Sequence, residues 1–223
     1  EKSFLKKLPY TIFTKIVDDA MQYGIETVSF HGSGEPTLNK HMPDCIEYVK
    51  NKGPACYSFT NAYTLNPKLS EKLLKSGLDV LRVSAIGYNR SNYHRWMSKD
   101  AFDIVRKNCL EFLNLKEKFT SKTELHFYHL ITNENDKDLE VEEYQKNWFE
   151  YLGKKSFHEI WMMHNWAGTY NEVPYSRALM TDRPSKRSCG RPFSSILQVR
   201  AGGLGNHFGA VVACCMVLGR DSE

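Results

Sequence analysis

The sequence lacks any long apolar run and any strong excess of one charge. No stretch of its 223 residues approaches the roughly 18 consecutive apolar residues of a membrane-spanning helix, so we expect no membrane partner. Lysine and arginine total 30 and aspartate and glutamate total 26, which leaves a net charge of only +4. Because the basic residues are scattered among acids, the charge pattern argues against a nucleic-acid partner.

An initiator methionine and a leader segment are also missing. The chain begins at Glu1 without the charged-then-apolar pattern of a targeting sequence. It ends at Glu223, just after an apolar run that contains Cys214 and Cys215. We expect that both ends lie inside a longer protein.

Three of the six cysteines fall within patterns of regular α/β structure. Cys45 and Cys109 lie in predicted helices and Cys56 lies in a predicted strand, each flanked by apolar residues. We predict that these three thiols are small buried hydrophobic side chains and not ligands. Such cysteine use is typical of a reducing cytoplasm, where we expect the protein to reside.

Helix-like and strand-like segments alternate along most of the chain. The predicted helices are Tyr10–Tyr23, Met42–Lys52, Pro67–Ser76, Ala101–Leu115 and Glu140–Leu152. The predicted strands are Thr27–His31, Ala55–Thr60, Val80–Ser84, Glu124–Ile131 and His158–Met163. This order indicates βαβ units, a parallel sheet and an α/β fold of the open or closed (β/α) barrel type.

The alternation stops after Asn165. Gly, Pro, Arg and Ser cluster within residues 167–188, which we interpret as a linker. Beyond it, the segments Ile196–Arg200 and Ala210–Val217 flank a Gly-rich turn and predict a β-hairpin. We therefore divide the chain into a barrel (1–166), a linker (167–188) and a small β-rich extension (189–223).

The loop after the first predicted strand holds the strongest chemical signal. It reads Gly32-Ser33-Gly34-Glu35-Pro36. Ligands of parallel α/β sheets bind at the carboxyl ends of the strands, and two glycines let the backbone approach a ligand closely. Glu35 adds a carboxylate suited to a ligand amine, and Pro36 is suited to the first turn of a helix. The same pattern occurs in ordinary βα turns, so the spacing alone leaves both interpretations open.

Four segments, in order, resemble motifs of the radical S-adenosylmethionine (SAM) superfamily. The segment from Gly32 to Leu38 is similar to the loop after that family's second strand, and Thr60-Asn61 begins a segment similar to its Thr-Asn-Gly pattern. Ser84 takes the place of the serine in the family's Val-Ser motif, and Asn133-Glu134-Asn135 resembles a later strand-to-Asn pattern. The resemblance extends over residues 8–165.

This resemblance implies a partial (β/α)6 TIM-like barrel that lacks its first strand, followed by the short β-hairpin extension. The residues that it implies for SAM binding are Gly32, Ser33, Gly34, Glu35, Pro36, Thr60, Asn61, Ser84 and Asn135. In the family, the glycine loop holds the amino group of the methionine part of SAM, and Ser84 would contact its ribose or carboxylate. The chain departs from the family pattern at Ala62, where glycine is usual, and at Ala85-Ile86.

The family also uses a [4Fe–4S] cluster held by three thiolates of a Cys-x3-Cys-x2-Cys loop. This spacing occurs nowhere in the sequence, and no cysteine precedes Gly32. We expect the cluster loop to precede Glu1 in the intact protein, and we expect the present chain alone to be inactive. The alternative is a cluster-free barrel that binds a peptide or a nucleotide without redox chemistry.

The last segment resembles the start of a SPASM domain, an extension that binds auxiliary iron–sulfur clusters. Cys189, Gly209 and Cys214 follow that domain's Cys…Gly-x4-Cys order, with a long first spacer of 19 residues. The resemblance therefore implies Cys189 and Cys214 as metal ligands of a possible auxiliary [4Fe–4S] cluster.

For the intact protein, the resemblance implies a radical SAM enzyme with oxidoreductase-type chemistry. A reducing electron donor supplies an electron to the cluster, and the cluster passes it to SAM, which is cleaved reductively. The resulting 5′-deoxyadenosyl radical abstracts a hydrogen atom from the substrate. Relatives with a SPASM domain often modify peptides or proteins, and others act on small molecules, so both substrate classes stay open.

Overall fold

Alternating helices and strands make up the part of the chain that the computed structural model describes, residues 7–31, 34–84, 87–163, 196–201 and 209–212. The helices are α1 Tyr10–Met21, α2 Met42–Lys50, α3 Pro67–Lys75, α4 Arg90–Met97, α5 Phe102–Lys118, α6 Lys137–Tyr144 and α7 Glu150–Leu152, with a π-helical turn at Gln145–Phe149. The strands are β1 Thr27–Phe30, β2 Ala55–Thr60, β3 Val80–Val83, β4 Glu124–Ile131, β5 Phe157–Met162, β6 Gln198–Ala201 and β7 Gly209–Val212. Across these ranges, no helix combines the length and the apolar character that a membrane crossing needs.

The first five strands form one parallel sheet in the order β1-β2-β3-β4-β5. Each strand pairs with the strand that precedes it in the chain, and at least one helix lies between them in sequence. β6 and β7 pair antiparallel, with Gln198 opposite Val212. The predicted α/β fold, a partial barrel sheet followed by a β-hairpin, is confirmed. The sheet is not closed, and within the described residues β1 and β5 are its edges.

One face of the sheet forms the hydrophobic core together with the helices. Alternate strand residues such as Cys56, Leu81 and Phe127 are at most 2% exposed and belong to a single buried cluster with helix side chains. α5 contributes most visibly, because Val105 and Phe112 are completely buried on one of its sides. Full burial of a side chain of this size contributes roughly 1.5–3 kcal/mol. This burial therefore determines which alternate side chains of each strand face the core.

The opposite face of the sheet, which we call the open face, is only partly covered by the described residues. It presents the other alternate strand residues, including Tyr57, Phe59, Arg82, His126 and Tyr128. Each of these side chains is neither fully buried nor fully exposed. Because successive side chains of a strand point to opposite faces, one set packs in the core and the other set is available to contact a ligand.

Cys45, Cys56 and Cys109 are free and buried, which confirms the prediction that they are hydrophobic side chains. Burial raises the pKa of Cys45 to about 11 and the pKa of Cys56 to about 12. Both thiols therefore stay protonated at neutral pH, and thiolate chemistry is disfavoured at these positions.

His158 on β5 makes the stability of the fold dependent on pH. Its Nδ1 pairs with the hydroxyl group of Tyr144 at 2.7 Å, its Nε2 pairs with Ser156 Oγ at 2.8 Å, and its ring stacks on Phe127. Burial lowers the pKa of His158 to about 4. In the unfolded chain a histidine binds its proton near pH 6.5. Between about pH 4 and pH 6.5 this histidine binds a proton in the unfolded chain but not in the folded one. The unfolding free energy therefore has its full value above about pH 6.5 and falls as the pH is lowered towards about 4.

We expect that the difference in unfolding free energy between the wild type and His158→Gln shrinks by about 1–2 kcal/mol from pH 7 to pH 4. The full shift would correspond to about 3 kcal/mol, and we reduce it because the ring is partly exposed. Urea unfolding at several pH values measures this difference. His94→Gln changes an exposed histidine on α4 and serves as the control. A constant difference for His158→Gln would contradict this account.

Candidate functional site

The loop after β1 is fixed by the side chain of Glu35. Glu35 Oε1 accepts hydrogen bonds from Thr37 N at 3.1 Å, Thr37 Oγ1 at 2.5 Å and Thr60 Oγ1 at 2.8 Å. Glu35 Oε2 accepts a hydrogen bond from Asn61 N at 2.7 Å. We call these contacts the Glu35 bridge, because they connect the loop after β1 to the end of β2.

The local sequence explains why Glu35 takes this position. Glu35 precedes a helical turn at Pro36–Leu38 and caps it, with Pro36 at the first position, where its missing N–H costs nothing. Thr64 Oγ1 lies 2.6 Å from Thr37 Oγ1, which adds a second link to the loop after β2. A carboxylate oxygen has two acceptor positions, so Glu35 Oε2 keeps one for a ligand.

Gly34 offers open space beside the Glu35 bridge. A Cβ atom built on Gly34 would have no neighbour within 4 Å, so its backbone is accessible from that side. Gly32 and Ser33, the other predicted residues of this loop, lie outside the described residues.

The end of β2 has an unusual backbone conformation at Ala62. Its φ is +58°, in the left-handed region that favours glycine, although its side chain is fully buried. Asn108 Nδ2 donates to the carbonyl oxygens of Ala62 and Tyr63 at 2.9 and 3.0 Å, and Ala62 N donates to Thr60 Oγ1 at 2.9 Å. These contacts hold the alanine in a conformation that explains why glycine is the usual residue in the resembling motif.

Ser84 and Gly87 follow β3 at the same edge of the sheet. Ser84 is exposed, and its backbone N donates to Thr60 O at 2.9 Å. Gly87 is buried with φ +135°, and a Cβ atom there would lie 2.3 Å from the Cα of Tyr93. Trp148 Nε1 donates to Gly87 O at 2.9 Å. Ala85 and Ile86, the departure from the family pattern, lie outside the described residues.

Asn135 lies after β4, in a short helical turn at Glu134–Asp136. It is exposed, and its backbone N donates to Asn133 Oδ1 at 3.0 Å. The structure therefore brings Gly34, Glu35, Asn61 and Ser84 to neighbouring strand ends and places Asn135 at the fourth. Three strand spacings separate β1 from β4, roughly 14 Å, so the edge is long enough for a ligand of several chemical parts.

A buried acid near this edge was not predicted from the sequence. Glu140 on α6 is 1% exposed, and it accepts hydrogen bonds from Thr132 N at 2.8 Å and Thr132 Oγ1 at 2.6 Å. Burial alone would raise the pKa of Glu140, but His129, 3.7 Å away, and the Thr132 bonds outweigh it and lower that pKa. The helical spacing of Glu140 to Tyr144, which is also buried, is the signal that could have identified it.

Residues 7–143 match the family model described as the Radical SAM superfamily. The chain belongs to the radical SAM superfamily. Membership supports an enzyme and implies SAM and a [4Fe–4S] cluster as its cofactors.

Two curated relatives illustrate the range of this superfamily. Over 99 residues the chain is 31% identical to a Fe-coproporphyrin III synthase of Methanosarcina barkeri, which covers 43% of this chain and 25% of that protein. Over 93 residues it is 30% identical to a probable GTP 3′,8-cyclase of Methanococcus maripaludis, which covers 42% of this chain and 31% of that protein. The matched part is thus about a quarter to a third of the length of these radical SAM relatives.

A solved structure shares the fold. SuiB of Streptococcus suis, bound to its precursor peptide SuiA, superposes with a TM-score of 0.57 at 16% identity and covers 75% of this chain and 35% of SuiB. At this identity the likeness concerns the fold alone.

The described residues fit SAM better than they fit a [4Fe–4S] cluster. Gly34, Glu35 Oε2 and Ser84 offer an open backbone, an acceptor and a hydroxyl group that suit the aminoacyl part of SAM. For a cluster, no three His, Cys, Asp or Glu side chains among the described residues are grouped to hold a metal. Cys189 and Cys214, the predicted auxiliary ligands, lie outside those residues.

Proposed function

We propose that this chain forms the SAM-binding part of a radical SAM enzyme that abstracts hydrogen from a peptide, protein or small-molecule substrate. The observation that supports this most directly is the Glu35 bridge. It holds the open backbone of Gly34 at the carboxyl edge of a parallel sheet, where α/β folds bind ligands.

Each residue at this edge has a distinct role in the proposal. The backbone of Gly32, Ser33 and Gly34 and the free position on Glu35 Oε2 accept the ammonium group of SAM, and Pro36 stiffens the loop. Thr60 fixes Glu35, Asn61 and Ser84 bind the ribose and the carboxylate, and Asn135 borders the far end of the site. Among the described residues, Glu35 is held by Thr37, Thr60 and Asn61 before the ligand arrives, which lowers the entropic cost of binding.

The cluster and SAM, when bound, supply a reductive radical chemistry. The residues of the chain orient SAM and keep water away from the reactive centre. We also propose that Cys189 and Cys214 ligate an auxiliary cluster and that a cytoplasmic reductant supplies the electrons. The buried free thiols of Cys45, Cys56 and Cys109 suit such a reducing compartment.

The relatives favour two different classes of substrate. The structural relative SuiB was solved with a peptide, which favours a peptide or protein substrate. The curated relatives carry the names of a porphyrin synthase and a nucleotide cyclase, which favours a small molecule. We keep both classes in the proposal.

Anaerobic reconstitution of the full-length protein with iron and sulfide tests the enzyme against its alternative. We expect a brown protein that absorbs near ~400 nm and that, once reduced, converts SAM to 5′-deoxyadenosine. A full-length protein that takes up no iron yet binds a peptide or nucleotide would instead be the cluster-free module. The 223-residue chain alone is expected to bind SAM weakly and to turn over none.

Ser84→Ala is expected to weaken SAM binding to the full-length protein about tenfold. A hydrogen bond to a charged ligand group contributes roughly 1.5–3 kcal/mol, and the exposure of Ser84 places the effect at the lower end. Calorimetric titration with SAM measures it. The control is Ser91→Ala, which removes an exposed hydroxyl group on α4. Equal SAM affinity in both variants would remove Ser84 from the site.

A further inference from the structure

Arg82 occupies the middle of the open face and is surrounded by aromatic rings. Its guanidinium carbon lies 5.5 Å from the ring centre of Tyr57, 5.4 Å from that of Phe59 and 5.3 Å from that of Tyr128. These distances are within the range of cation–π attraction, so the rings hold the side chain in place without neutralising its charge. Phe59 on β2 is directly opposite Arg82 on β3.

The charge of Arg82 has no acidic partner among the described residues. The part of the chain that the structure describes contains no carboxylate within 4.0 Å of its guanidinium group, and its buried Nε has no hydrogen-bond partner there. Arg90 differs, because Asp100 and Asp103 both bind it at the surface. A buried donor on a charged group without an acceptor is unfavourable, so within the described residues Arg82 is left with an unbonded N–H and an unpaired positive charge.

A second buried polar atom on the same face is also unsatisfied. His126 on β4 is directly opposite Arg82, and its Nδ1 has no hydrogen-bond partner among the described residues. Its Nε2 faces Glu124 Oε2 at 2.8 Å, so Glu124 is engaged by the histidine. Glu159, which lies opposite Tyr128 on the neighbouring strand, accepts a hydrogen bond from Trp161 Nε1. A polar ligand, and not an apolar one, satisfies such a surface.

The position of Arg82 separates it from the proposed SAM contacts. Gly34, Glu35, Asn61 and Ser84 lie at or beyond the strand ends, whereas Arg82 precedes Ser84 by two residues along β3. Two residues of a strand span roughly 6.5 Å, so Arg82 lies deeper on the open face than SAM would. One arginine matches one negative charge, and its planar group pairs in parallel with a carboxylate.

We propose that Arg82 binds a carboxylate group of the substrate, with Tyr57, Phe59 and Tyr128 packing against the apolar part next to it. This inference rests on the proposed function, because that function makes the bound molecule a substrate. It narrows the substrate to molecules that bear a carboxylate beside an apolar or aromatic group.

Binding of benzoate to the full-length protein tests this site without any turnover. We expect ligand-observed NMR titration to show benzoate binding that is weakened about tenfold or more in Arg82→Gln and less in Arg82→Lys, which keeps the charge but loses the planar fork. Benzamide, the neutral analogue, is expected not to bind. Arg90→Gln, in which a surface arginine with its own acidic partners is changed, should bind benzoate as the wild type does.

SAM titrations of the same proteins separate the possible outcomes. We expect the affinity for SAM to change less than about twofold in Arg82→Gln, and this result would support a substrate carboxylate at Arg82. A loss of SAM affinity as large as the loss of benzoate affinity would instead show that Arg82 binds the carboxylate of SAM, which overturns the proposal. Equal benzoate affinity in wild type and Arg82→Gln, absence of benzoate binding, or tighter binding of phenyl phosphate also overturns it. If the wild type binds benzoate through Arg82 but never binds SAM, the proposed function fails while the carboxylate site stands. Should Arg82→Gln not fold, Arg82→Lys and the benzamide comparison decide.

Discussion

Replacing Gly87 with alanine is expected to destabilise the protein by about 4 kcal/mol or to prevent folding. The new Cβ would lie 2.3 Å from the Cα of Tyr93 and 2.6 Å from its backbone N, and neither atom can move without shifting α4. The φ of +135° adds backbone strain that only glycine avoids. Forced overpacking and strain of this kind each cost roughly 1–3 kcal/mol. Movement of Gly87 would also disturb the bond that Trp148 Nε1 donates to its carbonyl oxygen.

Gly53→Ala is the matched control for this experiment. Gly53 has φ +108°, but a Cβ atom there would meet nothing within 4 Å, so only the backbone strain applies. We expect a loss of about 1–2 kcal/mol for Gly53→Ala. Urea unfolding of both variants measures the difference. Similar losses in the two would show that the packing of Gly87 against Tyr93 has little energetic weight.

Glu35→Gln is expected to lower the unfolding free energy by about 2 kcal/mol and to weaken SAM binding at least about tenfold. The substitution keeps the shape of the side chain but turns one carboxylate oxygen into an NH2 group, which then faces donors from Thr37 and Thr60 or from Asn61. Two opposed donors leave a partly buried polar group unsatisfied, at a cost of roughly 1–3 kcal/mol. The loop after β1 is then no longer fixed, so SAM has to order it on binding.

Glu71→Gln provides the comparison for Glu35→Gln. Glu71 pairs with Lys75 at 2.5 Å across one helical turn at the surface, where ion pairs contribute at most about 0.5 kcal/mol. We expect this variant to match the wild type in stability and in SAM affinity. Unfolding curves and calorimetric SAM titrations of the full-length protein give both quantities. Wild-type SAM affinity in a folded Glu35→Gln protein would show that the Glu35 bridge does not shape the ligand site.

The strands were predictable from the sequence, because burial on one face imposes a strict alternation. The predicted Ala55–Thr60 and Glu124–Ile131 match β2 and β4, and the prediction that Cys56 lies within a strand is confirmed. α4 was not predicted, because Arg90–Met97 is a largely polar segment in which only Tyr93 is buried. Its start is instead determined by Asn89 Oδ1, which accepts from Asn92 N at 2.9 Å.

The site was predictable in its location but not in its contacts. The glycine loop and the strand ends identified the carboxyl edge, because parallel strands bring these points together. The partners of Glu35 could not be read from the sequence, since Thr60 is 25 residues away and is brought near only by the register of β1 and β2. The surroundings of Arg82 depend likewise on two neighbouring strands, and a single-strand pattern shows only that it alternates with buried residues.

The edge position of β1 bears on how the cofactor site is completed. Within the described residues β1 pairs with β2 alone, so one row of its backbone N–H and C=O groups is available for a further strand. A parallel strand added there would lie about 4.8 Å from β1 and would deliver its own following loop beside Gly34. If SAM binds as proposed, a group carried by such a loop would reach its methionine part along this edge of the sheet.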